Sequence, residues 1–372
     1  MKPLRISIIG GSLAGLFAGV LLKRDGHDVR VHERSRQGLA GRGAGLVPQR
    51  EVFQILRAIG IEHLADIGVV AQERIFLDQA GEIVQTIREA QTQLSWDVLY
   101  EQVAARIAPA DYRLGSQLVR VETEGEGATT LSFADGSREE ADLVIGADGI
   151  GSVVRQALSP DHAANRYAGY VAWRGLIPET ALPARASLLL DRFAFYLAPG
   201  DHALGYLVPG PNGETAPGKR RYNWVWYRRV AEHDLRALFT GRDGHAHPVS
   251  LPRGGLSSER RDALRHDARI HLPPPFSLAV AAEETPSIQG IYDYETPAMV
   301  GGRIALIGDA AFVVRPHTAM GVGKAAGDVM SLRKHLAAAA DLQTALAHYQ
   351  GERLPVGREI AALGRRLGAT AL

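Results

Sequence analysis

The chain has 372 residues, with 42 lysines and arginines set against 41 aspartates and glutamates, for a formal net charge of +1. With 22% charged and 46% hydrophobic residues it has the balance of an ordinary globular protein, and the interspersed signs give no electrostatic case for a nucleic-acid partner. It contains no cysteine, which excludes disulfides, thiolate metal sites, iron–sulfur clusters and cysteine nucleophiles.

An apolar strand over Leu4 to Ile9 leads into a glycine turn and a helix from about Leu13 to Asp25, stopped by Gly26. A second strand, Asp28 to His32, ends at Glu33. Strand, helix and strand at this spacing form a βαβ unit, hence a parallel pair with a right-handed crossover. Ile6 to Leu22 is uncharged and follows Lys2 and Arg5, as in a signal peptide. Gly10, Gly11 and Gly15 interrupt that run, however, and it falls short of the roughly 20 apolar residues a membrane span requires. The expectation is a cytoplasmic protein without a membrane span.

Gly41, Gly43 and Gly45 form a flexible loop before a helix over Arg50 to Ile59. Strands follow from Ile75 to Ile87 around a turn at Gln79-Ala80-Gly81, then a helix near Trp96 to Ile107. Thr129 to Phe133 and Glu140 to Ile145 flank the turn signal Asp135-Gly136, and Ser152 to Leu158 reads as a helix. Tyr167 to Tyr227 is rich in aromatic and β-branched residues broken by Pro-Gly turns, the pattern of an antiparallel sheet. Arg303 to Ile307 is a buried strand, a helix starts at Gly321, and Leu336 to Arg366 is helical.

The fold class is therefore α/β. A Rossmann-type dinucleotide-binding domain (residues 1–74, 95–165 and 289–335) is interleaved with a β-rich substrate domain (75–94 and 166–288) and followed by C-terminal helices (336–372).

Three strand ends carry chemistry. The first opens Gly10-Gly11-Ser12-Leu13-Ala14-Gly15, a dinucleotide fingerprint with serine at its second glycine position. The helix behind it offers free N–H groups and a positive dipole end to a pyrophosphate, and Glu33 ends the next strand where a carboxylate takes ribose hydroxyls. A merely tight turn is the plain alternative. The second runs Leu143-Val144-Ile145-Gly146-Ala147-Asp148-Gly149, which alone is also a common turn. The third runs Ile304 to Asp309, then Pro316 and Gly321-Val322-Gly323, with a carboxylate suited to a polyol and a helix N-terminus behind it. The order of all three points to a dinucleotide.

With these motifs the chain resembles the single-component FAD aromatic hydroxylases, flavin monooxygenases of the para-hydroxybenzoate hydroxylase fold, and within them the 2,6-dihydroxypyridine 3-hydroxylase-like branch. The finer likeness rests on Gly10-Gly11-Ser12, Ser95-Trp96-Asp97, the run Tyr167 to Gly175, and Arg315-Pro316-His317. Two departures stand out. Trp96 replaces the arginine that usually touches the flavin phosphate or ribityl chain, and Ala319, Met320 and Gly323 replace the usual glycine, glutamine and asparagine.

The resemblance implies FAD, reduced by transiently bound NADH or NADPH, and oxygen transfer from O2 to an electron-rich aromatic or N-heteroaromatic ring, hydroxypyridines included. It implies that Gly10, Ser12, Leu13, Ala14, Gly15, Glu33 and Arg34 hold the ADP half, with Gly45 in the loop beyond. Asp148 and Gly149 would lie near the pyrophosphate and Asp309 on the ribityl chain. Gly321, Val322 and Gly323 would face the flavin ring, and Pro316 its reacting edge.

The substrate wall is expected from Tyr170, Trp173, Tyr196, Tyr206, Trp224 and Trp226, of which alternation turns about half away. Arg174 binds an anionic ring or forms a structural ion pair. His317 is the candidate catalytic base, with a pKa in the useful range; a backbone-bonded histidine is its alternative. His245 and His247 lack a metal-ligand spacing, so no metal is expected. A homodimer is the assembly considered. Two other readings, a non-oxygenating flavin oxidoreductase and a non-enzymatic binding protein with this fold, are separated by whether product gains oxygen and whether flavin binds.

Overall fold

A computed structural model of the chain describes residues 1–41, 43, 45–65, 67–123 and 127–370. Residues 371–372 of the expected C-terminal helices lie outside these. Its spine is a six-stranded sheet in which Arg5–Ile9 pairs in parallel with Asp28–Glu33 on one side and Leu143–Gly146 on the other. Ile304–Leu306 extends the sheet in parallel beyond Leu143–Gly146. The helix Leu13–Arg24 packs on this sheet, and the three-stranded sheet that carries Phe133 and Glu139 also covers it, His32 stacking on Phe133 at 4.6 Å and Ser7 donating to Glu139 at 2.5 Å. The helix Leu13–Arg24 buries Leu16, Phe17 and Leu21 completely. Gly321–Ala338 packs against it.

The expected strand Glu140 to Ile145 is two strands. Arg138–Ala141 closes a three-stranded antiparallel sheet with Thr129–Phe133 and Leu118–Thr123, whereas Leu143–Gly146 enters the central sheet. The chain changes sheets at Asp142, whose carboxylate accepts from the Arg5 backbone N–H at 2.8 Å and from its guanidinium at 3.0 Å. The alanine-rich end also differs. Gly321–Ala338 runs through the expected boundary between 335 and 336, then Ala339 turns extended (ψ 151°) and Leu342–Thr370 begins anew. Asp341 marks the restart by accepting from the Thr344 N–H at 2.8 Å. Neither glycine nor proline announces that break.

The β-rich unit is a nine-stranded sheet. Its centre is the antiparallel run Ser287–Glu295, Arg166–Pro178, Arg221–Arg229, Asp201–Val208 and Arg192–Ala198. Glu73–Leu77 joins the far edge in parallel with Arg192–Ala198, so the sheet is mixed where an antiparallel one was expected. Ser287–Glu295 crosses the expected boundary between 288 and 289, staying in this sheet through Glu295.

Alternation splits the sheet's residues between two environments. Val171, Trp173, Ile177, Trp224 and Trp226 pack with Leu264, Ala268, Phe276 and Val280 of the helices Ser258–His271 and Pro274–Ala281. Tyr170, Ala172, Val225 and Tyr227 cluster on the opposite face, toward the nucleotide-binding layer. Among the described residues no helix is long and apolar enough to cross a membrane.

A Cβ at Gly15 would lie 1.8 Å from the Gly10 carbonyl oxygen. Gly15→Ala should therefore push the first helix off its strand at a cost of about 3 kcal/mol, read as a lower urea midpoint of the cofactor-free protein.

Candidate active site

The three motif turns meet at the carboxyl ends of adjacent strands. Gly10 has φ +113°, and a Cβ there would stand 2.2 Å from the Ala147 carbonyl oxygen, so the first turn rests directly on the backbone of the second. Gly308, at φ +59°, fits between Ala14 and Ala325, where a Cβ would meet their methyl groups at 3.2 and 3.6 Å. The third turn is thus wedged between the helices Leu13–Arg24 and Gly321–Ala338.

Ser12 precedes the first helix without a side-chain cap, and no acid occupies the first turn. The helix end therefore keeps its donors and positive potential for an anion. Glu33 is buried, accepting from the Gly11 N–H at 2.9 Å and the Ser35 N–H at 2.7 Å. Those bonds hold the turn and leave further lone pairs on the carboxylate. Tyr112 donates from its hydroxyl to the Gly11 carbonyl at 3.0 Å, bracing the same turn from beneath. Arg34 is exposed.

Asp148 turns inward. Its carboxylate accepts from Ser152 Oγ at 2.5 Å and the Val153 N–H at 2.6 Å, so it caps the helix Val153–Leu158, and burial raises its pKa. Those bonds fix its side chain against the start of that helix, at the turn the sequence places near a pyrophosphate. Gly149, at φ +71°, opens on empty space. Asp309 remains half-exposed, with Lys324 Nζ 3.3 Å from Oδ1.

Beyond it, Pro316–Thr318 forms a single turn and Ala319 takes a left-handed φ of +53°. The helix at Gly321 starts without a cap or an acid in its first turn, and Gly321 faces open space. Val322 is half-buried. A Cβ at Gly323 would crowd Gln49 Oε1 at 2.9 Å, and Gln49 also donates to the Ala319 carbonyl at 3.1 Å. Two uncapped helix ends, a glycine turn with no room for side chains and a half-exposed carboxylate between them fit an anionic, polyol-linked dinucleotide such as FAD.

Trp96 stacks on Tyr100 (5.1 Å between centroids, 6° apart) and covers Gly43, where a Cβ would lie 2.3 Å from the indole. The side chain that replaces the usual arginine is thus part of the loop's wall. Gly45 lies against Tyr206, with room for no Cβ.

The opposite wall is the sheet face bearing Tyr170, Arg174, His202, Tyr206 and Tyr227. His317 reaches it from the Pro316–Thr318 turn. Its Nε2 is 2.9 Å from Tyr170 Oη, and its ring lies 4.5 Å from that of Tyr227 and 5.4 Å from that of His202. Burial, helped by His202 and Arg315, depresses the His317 pKa to about 3, and burial alone takes His202 to about 4. The expected mid-range pKa of His317 is therefore corrected: both rings are neutral near pH 7.

Burial raises Tyr206 and Tyr227 to about 12, against the opposing charge of Arg174. Arg174 is half-buried and its Nε has no hydrogen-bond partner. Arg315 is held by a bidentate pair with Asp293 at 3.0 and 2.8 Å.

Tyr196 and Trp224 are not in this wall, nor are Trp173 and Trp226. Tyr196 hydrogen-bonds Gln79, and Trp224 is 1% exposed with its indole against Gly175, all on the reverse face. Their places in the alternation decide it. The residues missed from sequence are His202, Tyr227 and Lys324. His202 is the cross-strand partner of Tyr227 and shares its phase with Tyr206, a signal usable once Tyr206 is placed. Among the described residues no group of three His, Asp or Glu side chains could hold a metal.

Comparison with known proteins agrees with this geometry. The family model described as FAD binding domain matches residues 4–187 and 277–363, and one described as FAD binding domain-like matches 167–293. The chain is 34% identical to the 2,6-dihydroxypyridine 3-monooxygenase of Paenarthrobacter nicotinovorans, over 95% of this chain and 88% of that protein. It is 27% identical to a 6-hydroxynicotinate 3-monooxygenase of Bordetella bronchiseptica, over 90% and 82%. The structure of 2,6-dihydroxypyridine-3-hydroxylase from Arthrobacter nicotinovorans superposes with a TM-score of 0.93 at 32% identity, covering 100% of this chain and 93% of that one.

Two outcomes follow from the site. Ala319→Gly should stabilise the protein by about 1 kcal/mol, since a left-handed residue with a Cβ is strained, measured as a higher unfolding midpoint. Because His202 and His317 stay neutral when folded, the unfolded chain binds more protons below about pH 6.5. Stability is therefore lost as pH falls from there toward 4, and His202→Phe and His317→Phe should each flatten a plot of melting temperature against pH.

Proposed function

We propose that this chain, which belongs to the FAD binding domain family and is an FAD-dependent aromatic monooxygenase, hydroxylates a planar, electron-rich N-heteroaromatic ring that already bears a hydroxyl group, hydroxypyridines foremost. The observation that carries this reading is the pair of neutral imidazoles, His202 and His317, on one wall with Tyr170, Tyr227 and Arg174. A neutral imidazole presents one donor and one acceptor, the complement of the N–H and carbonyl edge of a hydroxypyridine in its lactam form. The relatives named for dihydroxypyridine and hydroxynicotinate substrates support the same class.

Bound FAD supplies the electron transfer from NADH or NADPH and the activation of O2. In our reading the uncapped end of Leu13–Arg24, with Gly10, Ser12 and Gly15 at its mouth, holds the pyrophosphate, and Glu33 takes ribose hydroxyls. Asp309 takes the ribityl chain. The N-terminus at Gly321, Val322 and Gly323 supports the flavin ring, and Pro316 sets its edge.

His317 accepts a hydrogen bond from the ring hydroxyl of the substrate at Nδ1, while its Nε2–H donates to Tyr170 Oη, which fixes the imidazole. Arg174 stabilises the negative charge that develops on that oxygen, its buried Nε being free to donate. The packed aromatic wall excludes water around it. A cytoplasmic location fits the need for NADH or NADPH, and the net charge of +1 fits a small neutral or anionic ligand rather than nucleic acid.

A panel of hydroxypyridines, phenols and purines, assayed together for NAD(P)H consumption and product mass, tests the proposal. A hydroxypyridine product heavier by one oxygen atom is expected, and reductant consumption with only peroxide formed across the panel refutes it. His317→Ala should retain FAD but yield at least about tenfold less hydroxylated product per NAD(P)H; unchanged coupling removes His317 from the mechanism.

A further inference from the structure

Lys324 is a buried cation with no evident service to the fold. Its side chain is 0% exposed, its Nζ has no hydrogen-bond partner, and the closest opposite charge is Asp309 Oδ1 at 3.3 Å, on a side chain 51% exposed. It also sits in the first turn of Gly321–Ala338, the positive end of that helix, where a cation is disfavoured. Burying an ammonium against one half-solvated partner costs stability rather than adding to it.

The surroundings show what it acts on. One turn along the same helix, Asp328 accepts from the Gly308 N–H at 3.0 Å and is itself held by Arg353 Nε at 2.8 Å. The helix therefore grips the Gly308-Asp309 turn at two points. Asp328 fixes the backbone of Gly308, and Lys324 faces the carboxylate of Asp309 from the buried side. The rest of the Asp309 side chain stays exposed.

We infer that Lys324 is a flavin-positioning residue: it aims the Asp309 carboxylate into the cleft and balances its charge, so that the carboxylate can bind a polyol without leaving an uncompensated negative charge beside the flavin. This rests on the assignment of Asp309 to the ribityl chain. Lys324 acts through Asp309, and the two behave as one unit.

The test uses the full chain, loaded with FAD and stripped of it, in three variants: Lys324→Met, Asp309→Asn and the double variant. Three readouts are needed: FAD dissociation constant, midpoint potential of the bound flavin, and melting temperature without FAD. Lys324→Met should weaken FAD binding at least tenfold and make the midpoint potential more negative, because the unbalanced carboxylate opposes electron uptake. Without FAD its melting temperature should be unchanged or raised, which separates lost binding from misfolding. Asp309→Asn should weaken binding similarly. The double variant should bind no worse than Asp309→Asn, with a potential returned toward that of the parent.

Lys324→Met that binds FAD within twofold of the parent and keeps its potential, while Asp309→Asn loses FAD, overturns the inference and leaves Asp309 in place. Retention of FAD by Asp309→Asn overturns both. Additive losses in the double variant overturn the claim that Lys324 works through Asp309.

Discussion

The contact on which the rest depends is backbone against backbone: the turn at Gly10 lies on the carbonyl of Ala147, and Gly15 lies on the carbonyl of Gly10. Side chains are absent there because there is no space for them. That approach sets the distance between the first two strand ends and the angle of the first helix. Gly308, wedged between Ala14 and Ala325, brings in the third. Two helix N-termini and the Asp309 carboxylate are thereby assembled around one cleft, although they are separated by some three hundred residues of chain.

The wall facing that cleft follows a different logic. A twisted sheet offers one face to a helical layer and the other to the nucleotide-binding layer, and a residue's phase along its strand decides which environment it enters. The indoles fill the helix-covered side. The cleft side receives Arg174, Tyr170, Tyr206, Tyr227 and His202, met by His317 from a turn of the other layer. Dehydration on that side makes both imidazoles neutral and keeps the phenols protonated.

Both ring nitrogens of His202, Nε of Arg174 and Nζ of Lys324 are buried at this site without a hydrogen-bond partner. Each buried, unsatisfied group costs about 1–3 kcal/mol. A fold selected for stability alone would satisfy them or replace them with apolar side chains. At this site, beside uncapped helix ends, they are groups that a bound ligand can satisfy.

Much of the nucleotide-binding half was legible from the chain because its signals are local. A glycine turn between a strand and a helix, an acid at the next strand end and two later strand–Asp turns act over a few residues, through covalent geometry and helix-end electrostatics. The sheet change at Asp142, the helix break at Ala339, the inward turn of Asp148 and the mixed sheet were not legible, since each depends on partners remote in sequence or on competition between elements. The same holds for the substrate wall. The aromatic run announced a sheet, but whether Tyr206 or Trp224 faces the cleft, and that His202 joins His317, was decided only when strand phase met the second layer, because burial and its effect on protonation exist only in the packed molecule.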